Sequence, residues 1–127
     1  MLFLFAVFII TTISFSDTVN YNLDLAHQVE IENASNNYGV SDVWGYTDEA
    51  GFEYAIIGYE LGTHIYKITD SDVILISDII GPSTGDYYYH RDYKTLGDYL
   101  YIVNEMYGGD IGMQVVDLSP LPENSPI

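Results

Sequence analysis

No cysteine occurs among the 127 residues, which removes thiol catalysis, zinc–thiolate sites, disulfides and cysteine-borne lipid together. Basic side chains are almost as scarce. Lys67, Arg91 and Lys94 face nineteen acidic residues, for a formal charge of −16. A polyanion would meet long-range repulsion, so nucleic acid and anionic membrane surfaces are poor partners. There is no Gly-x-Ser-x-Gly nucleophile elbow and no glycine-rich phosphate cradle. No period of 3.6 residues persists beyond a turn or two, so few helices are expected. The longest apolar run, residues 2–10, falls short of the roughly 20 residues of a membrane span. It suits the apolar region of a secretory signal, with Ser14 and Ser16 as the small residues before a cut at Asp17. A signal peptide is therefore predicted at 1–16 and a secreted or cell-surface domain at 17–127. The leader carries no Lys or Arg, which keeps a buried N-terminal strand or an uncleaved anchor as alternatives.

What remains is apolar and aromatic. Hydrophobic residues make up 48% of the chain, with thirteen tyrosines and five phenylalanines, enough for one domain that buries about two thirds of its unfolded surface. The acidic residues are interspersed rather than gathered in a tail, the pattern of strands joined by acidic turns. Solubility, in a medium salty enough to screen self-repulsion, explains such a charge; cation binding is the functional alternative.

A repeat organises the chain. Gly62-Thr63-His64-Ile65-Tyr66-Lys67-Ile68-Thr69-Asp70 matches Gly112-Met113-Gln114-Val115-Val116-Asp117-Leu118-Ser119-Pro120 fifty residues later, and Asp42 and Asp92 keep the same interval. Short strands at this period mark a β-propeller or similar array, whose units bury their faces by stacking. Strands are predicted at 40–47, 53–59, 63–69 and 73–80, making blade one (about 40–81), and at 87–95, 99–104 and 111–118, making an incomplete blade two (about 87–121). A further alternating strand is predicted at 20–31. The proline-bearing end after residue 119 cannot hold a ladder.

The segments Ser41-Asp42-Val43-Trp44-Gly45-Tyr46-Thr47-Asp48, Glu53-Tyr54-Ala55-Ile56-Ile57-Gly58, Gly62-Thr63, His90-Arg91-Asp92-Tyr93-Lys94 and Gly112-Met113-Gln114-Val115-Val116-Asp117-Leu118 resemble the choice-of-anchor B domain, a family of exported bacterial proteins related to LVIVD-repeat propellers. The resemblance spans about residues 20–121. It implies an all-β partial propeller outside the cell or on its surface, joined to varied anchoring devices, and it carries no catalytic residues across. It also makes residues 20–31 the strand that closes the ring, with its partner elsewhere, and this chain an N-terminal fragment of a longer protein.

His90, Arg91 and Asp92 form the densest cluster of functional side chains, at the start of an innermost strand facing an axial channel. They are weak catalytic candidates for proton transfer in a propeller-type hydrolase or lyase. Strand alternation sends His90 and Asp92 to one side and Arg91 to the other, and the plainer reading makes Asp92 a turn acceptor and Arg91 the partner of a carboxylate. Tyr87, Tyr88 and Tyr89 are the binding candidates, an aromatic surface for an extracellular protein or a glycan; packing between blades is their plainer role. Asp70, Asp72 and Asp110 offer oxygen in turns for calcium, without the full Asp-x-Asp-x-Asp-Gly spacing. No other cofactor is indicated. His27 and His64 stand apart in sequence, and exposed strand edges allow self-association.

Overall fold

The computed structural model describes residues 23–31, 39–82, 90–105 and 112–122. Seven strands occupy them: β1 (Val40–Thr47), β2 (Glu53–Tyr59), β3 (Gly62–Ile68), β4 (Val73–Ile80), β5 (Arg91–Leu96), β6 (Tyr99–Asn104) and β7 (Gln114–Asp117). Neighbours in sequence pair antiparallel to give a first sheet ordered β1-β2-β3-β4 and a second ordered β5-β6-β7. The fold is all-β, two successive up-and-down sheets not closed into a barrel, which is how consecutive propeller blades are built.

Turn chemistry sets the hairpins. Between β1 and β2, the Asp48 carboxylate accepts from Phe52 N–H at 2.9 Å and from the Tyr54 hydroxyl at 2.9 Å, while Gly51 takes a φ of 88°. Burial alone would raise the Asp48 pKa, but the hydrogen bonds from Phe52, Tyr54, Ala50 and Gly51 outweigh it and hold the carboxyl below its ordinary value. The β5–β6 turn uses Gly97 at φ 56°, a conformation that favours glycine. Its Asp98, fifty residues after Asp48, is reached from the first sheet by the Tyr46 hydroxyl at 3.0 Å.

Period-two alternation gives each sheet two faces. In the first sheet, Trp44 pairs with Ile56 and Ile56 with Ile65, which places all three on one face. That face packs on the second sheet, and Tyr54, Ile56 and Ile65 join Tyr93, Leu100, Ile102, Val116, Leu118 and Leu121 in a single buried cluster. Polar pins cross the seam: Trp44 Nε1 donates to Thr95 Oγ1 at 3.1 Å, Thr63 Oγ1 and the Tyr93 hydroxyl share a bond of 3.0 Å, and Gln114 Nε2 donates to the Ile80 carbonyl at 3.1 Å. Each is worth about 1 kcal/mol net, against about 2 to 3 kcal/mol for burying one large apolar side chain, so the seam is mainly hydrophobic and the pins fix its register.

Three predicted strands differ by more than one residue from what is observed; the one predicted at 111–118 runs only over Gln114–Asp117, with Gly112 and Met113 outside the ladder. Residues 23–31, the described part of the predicted ring-closing strand, form no ladder, and Leu23 and Leu25 are exposed. A strand gains its ladder from a partner, and among the described residues none pairs with this segment. The segment nonetheless rests on the first sheet, its His27 Nε2 within 3.0 Å of the Thr69 carbonyl. In the second sheet the first strand begins at Arg91; the predicted residues 87–89 lie outside the described ones.

Candidate functional site

The first strands of the two sheets, β1 and β5, lie side by side, and their leading ends carry the repeat-related Asp42 and Asp92. Beside them opens a cleft of about 580 Å³ lined by Ser41, Asp42, His90, Arg91, Asp92, Val103, Asn104 and Glu105. β1 reaches it through a register shift between Val40 and Val43, and Asp42 Oδ1 accepts the Val43 N–H at 2.8 Å. An extra residue in one strand re-aims the side chains around it.

Alternation places the sequence-predicted trio as expected. His90 and Asp92 are exposed, whereas Arg91 is 3% exposed. The Arg91 guanidinium donates from Nη1 to the Tyr59 carbonyl and from Nη2 to the Glu60 carbonyl at 3.4 Å, binding the head of β5 to the end of β2. Burial pulls its pKa down from the ordinary value. With that cation turned inward, the acidic groups lining the cleft are the exposed carboxylates of Asp92 and Glu105 and the half-buried one of Asp42. Ser41 Oγ is shut off from solvent and has no hydrogen-bond partner among the described residues. It lies 2.0 Å from where a Cβ on Gly58 would stand, with the Tyr93 hydroxyl at 2.7 Å from the same point. The hydroxyl therefore fills the space that glycine leaves and is not presented to a substrate. Burial pushes the Tyr93 pKa up to about 12, so its hydroxyl stays protonated at neutral pH.

A second cluster escaped the sequence reading. On the face of the first sheet turned away from the second, the Tyr59 hydroxyl donates to Asp78 Oδ1 at 2.7 Å, His64 Nδ1 lies 3.0 Å from the Tyr66 hydroxyl, and His64 Nε2 lies 3.5 Å from Asp78 Oδ1. The Tyr59 and His64 rings stack with centroids 4.2 Å apart. Burial lowers the His64 pKa, with the Asp78 charge pulling the other way; burial raises those of Tyr59 and Tyr66. These residues share a cavity of about 390 Å³ with Val29 and Glu30. The signal for it was the two-residue spacing of His64 and Tyr66, which puts both on one face; Tyr59 and Asp78 join only through strand register.

The other candidates distribute as follows. Tyr87, Tyr88, Tyr89 and Asp110 lie outside the described residues. Asp70 is exposed, and Asp72 caps its own turn, its Oδ1 accepting the Val73 N–H at 2.8 Å. Among the described residues no three histidine, aspartate or glutamate side chains come together in a group that could hold a metal ion. Among the same residues no helix is long and apolar enough to cross a membrane. With sheets and cleft in place, the class they define is an all-β stack of antiparallel sheets. Protein-family models, curated proteins and solved structures give no match to this chain.

Proposed function

We propose that the chain is part of a secreted or cell-surface β-propeller that works as a binding or display module, with the cleft at the heads of β1 and β5 as its contact site for a partner protein. One observation carries this reading: Asp42, Asp92 and Glu105 line the opening, while the guanidinium among them is committed to main-chain carbonyls. Lysine and arginine side chains of a partner are the natural complement, and the charge of −16 steers them in. The resemblance to the choice-of-anchor B domain supports placement outside the cell and adds no catalytic residue. A hydrolase or lyase is the second reading, because His90 and Asp92 are exposed in the same cleft.

Binding of a short lysine- and arginine-rich peptide, followed by fluorescence anisotropy, tests the proposal. The D42N/D92N variant is expected to lose most of the affinity. A D24N/D70N variant, equally altered in charge at exposed positions away from the cleft, is expected to retain it. Equal losses in both variants would reduce the effect to net charge and reject the site. Turnover in a hydrolase screen that vanishes with His90→Ala would reject the binding reading in favour of the enzyme.

A further inference from the structure

We propose that Arg91 is a positioning residue that sets the width of the cleft between β1 and β5 and, through that width, its hold on a cationic partner; the second half rests on the contact-site reading above. The cleft has one wall from each sheet. Ser41 and Asp42 of β1 form the first, with Tyr59 of β2 beside them through its pairing with Val40. The second is knit together at the head of β5: Arg91 pairs with Asn104, Asp92 with Val103, and the Glu105 N–H donates to the His90 carbonyl at 3.2 Å. From this wall the Arg91 side chain crosses to the other sheet, where its guanidinium donates to the Tyr59 and Glu60 carbonyls. A planar fork on two successive carbonyls fixes angle as well as distance. Asp42 and Asp92 stand on opposite walls, so the clasp governs whether one partner cation meets both.

The floor beneath limits movement the other way. Gly58, next to Tyr59 on β2, faces both sheets: a Cβ there would stand 2.0 Å from Ser41 Oγ and 2.7 Å from the Tyr93 hydroxyl of β5. That hydroxyl is itself tied to Thr63 of β3 at 3.0 Å. Gly58 thus lets β1, β2 and β5 meet with no space left for a methyl group, and closer approach is blocked by packing. Arg91 opposes separation, because parting would leave two carbonyls and a buried charge short of hydrogen bonds. Charge alone assigns Arg91 the opposite effect. A guanidinium beneath carboxylates weakens their pull on a partner's lysine or arginine, so plain electrostatics predicts tighter binding when it is removed and positioning predicts weaker.

Two readouts test this, one free of any ligand. The chain has no cysteine, so V40C/V103C takes spin labels at two exposed positions, one on each sheet, and their distance distribution reports the width. R91K keeps the charge but its single ammonium cannot span both carbonyls, and G58A forces the floor apart without touching any charge. R91K is expected to broaden the distribution and G58A to lengthen it, with far-ultraviolet spectra unchanged. In the unlabelled chain both are expected to bind the lysine- and arginine-rich peptide about tenfold more weakly, by faster dissociation at an unaltered association rate. R91M is expected to bind it more weakly too, although its cleft is one charge more acidic; should R91M fail to fold, R91K and G58A carry the test. A distribution unchanged in R91K would overturn the proposal, and tighter binding by R91M would replace positioning with plain charge. Wild-type affinity in R91K despite a broadened distribution would overturn the link from width to grip. A wild type that binds no peptide while R91K still broadens the distribution would reject the contact site and uphold the clasp.

Discussion

Gly62 and Gly112 occupy the same place in the repeat and live in different surroundings. A Cβ on Gly62 would stand 2.2 Å from the main-chain carbonyl oxygen of Ile79, whereas one on Gly112 meets nothing within 4 Å. The difference is β4. In the first sheet a fourth strand passes beside the glycine; among the described residues the second sheet has no such strand. Ile65 and Val115 repeat the contrast: Ile65 is wholly buried between the sheets and Val115 is 50% exposed. Sequence similarity therefore specifies the local strand, and neighbours decide what each position contributes to stability.

Replacing the repeat-related residues in pairs breaks this contrast most sharply. Ile65→Ala is expected to cost about 3 to 4 kcal/mol by opening a cavity in the core, against about 0.5 kcal/mol for Val115→Ala in dilute monomer. Chemical denaturation reads both. Next comes Gly62→Ala at about 3 kcal/mol, because the obstacle is backbone that cannot swing aside, with Gly112→Ala below about 1 kcal/mol in either direction. Equal costs within either pair would contradict the assignment of faces.

Smaller effects sharpen it. Tyr46→Phe removes the hydroxyl that reaches Asp98 across the seam and is expected to cost about 1 kcal/mol, with less lost when Asp98→Asn is already present. A double-mutant cycle measures the coupling. Smallest is the acid response of the outer face, where Asp78 and Glu30 surround His64. Burial lowers the folded-state pKa of His64 below its ordinary value, so the unfolded chain takes up the proton first. The contribution is complete above about pH 6.5 and is lost as pH falls from there toward the folded value. Denaturation midpoints of the wild type are expected to drop through that window, and those of His64→Gln to stay flatter until the carboxylates titrate.

Much of the architecture was legible because strands speak locally. The bounds of β1, β2, β4 and β6 follow from alternation, Gly and Asp turns and β-branched content, and the same alternation sends Arg91 inward while His90 and Asp92 face out. The ladder predicted for residues 20–31 is not observed over the described part, 23–31, because pairing belongs to two strands and one strand's pattern cannot supply the other. The site was half legible. Asp42 and Asp92 announce themselves by spacing, but Glu105 and Ser41 reach the cleft through the pairing of β5 with β6 and the shift in β1, which are tertiary facts. The His64 cluster draws on β2, β3 and β4, so proximity along the chain could not reveal it. The acidic turns read as calcium candidates show the converse. Asp72 has the right chemistry, and its own strand's first amide takes up the carboxylate.

The central claim is that the two sheets are successive repeats stacked in one direction, with β7 the outer strand of the second among the described residues. Amide hydrogen exchange of the dilute full chain, resolved by residue, tests it most directly. The account expects β2, β3 and β6 to share the highest protection, since each is paired on both sides, and the outward amides of β7 to exchange rapidly. Protection of β7 equal to that of β3 would contradict it, because the edge would then already be paired within a single chain.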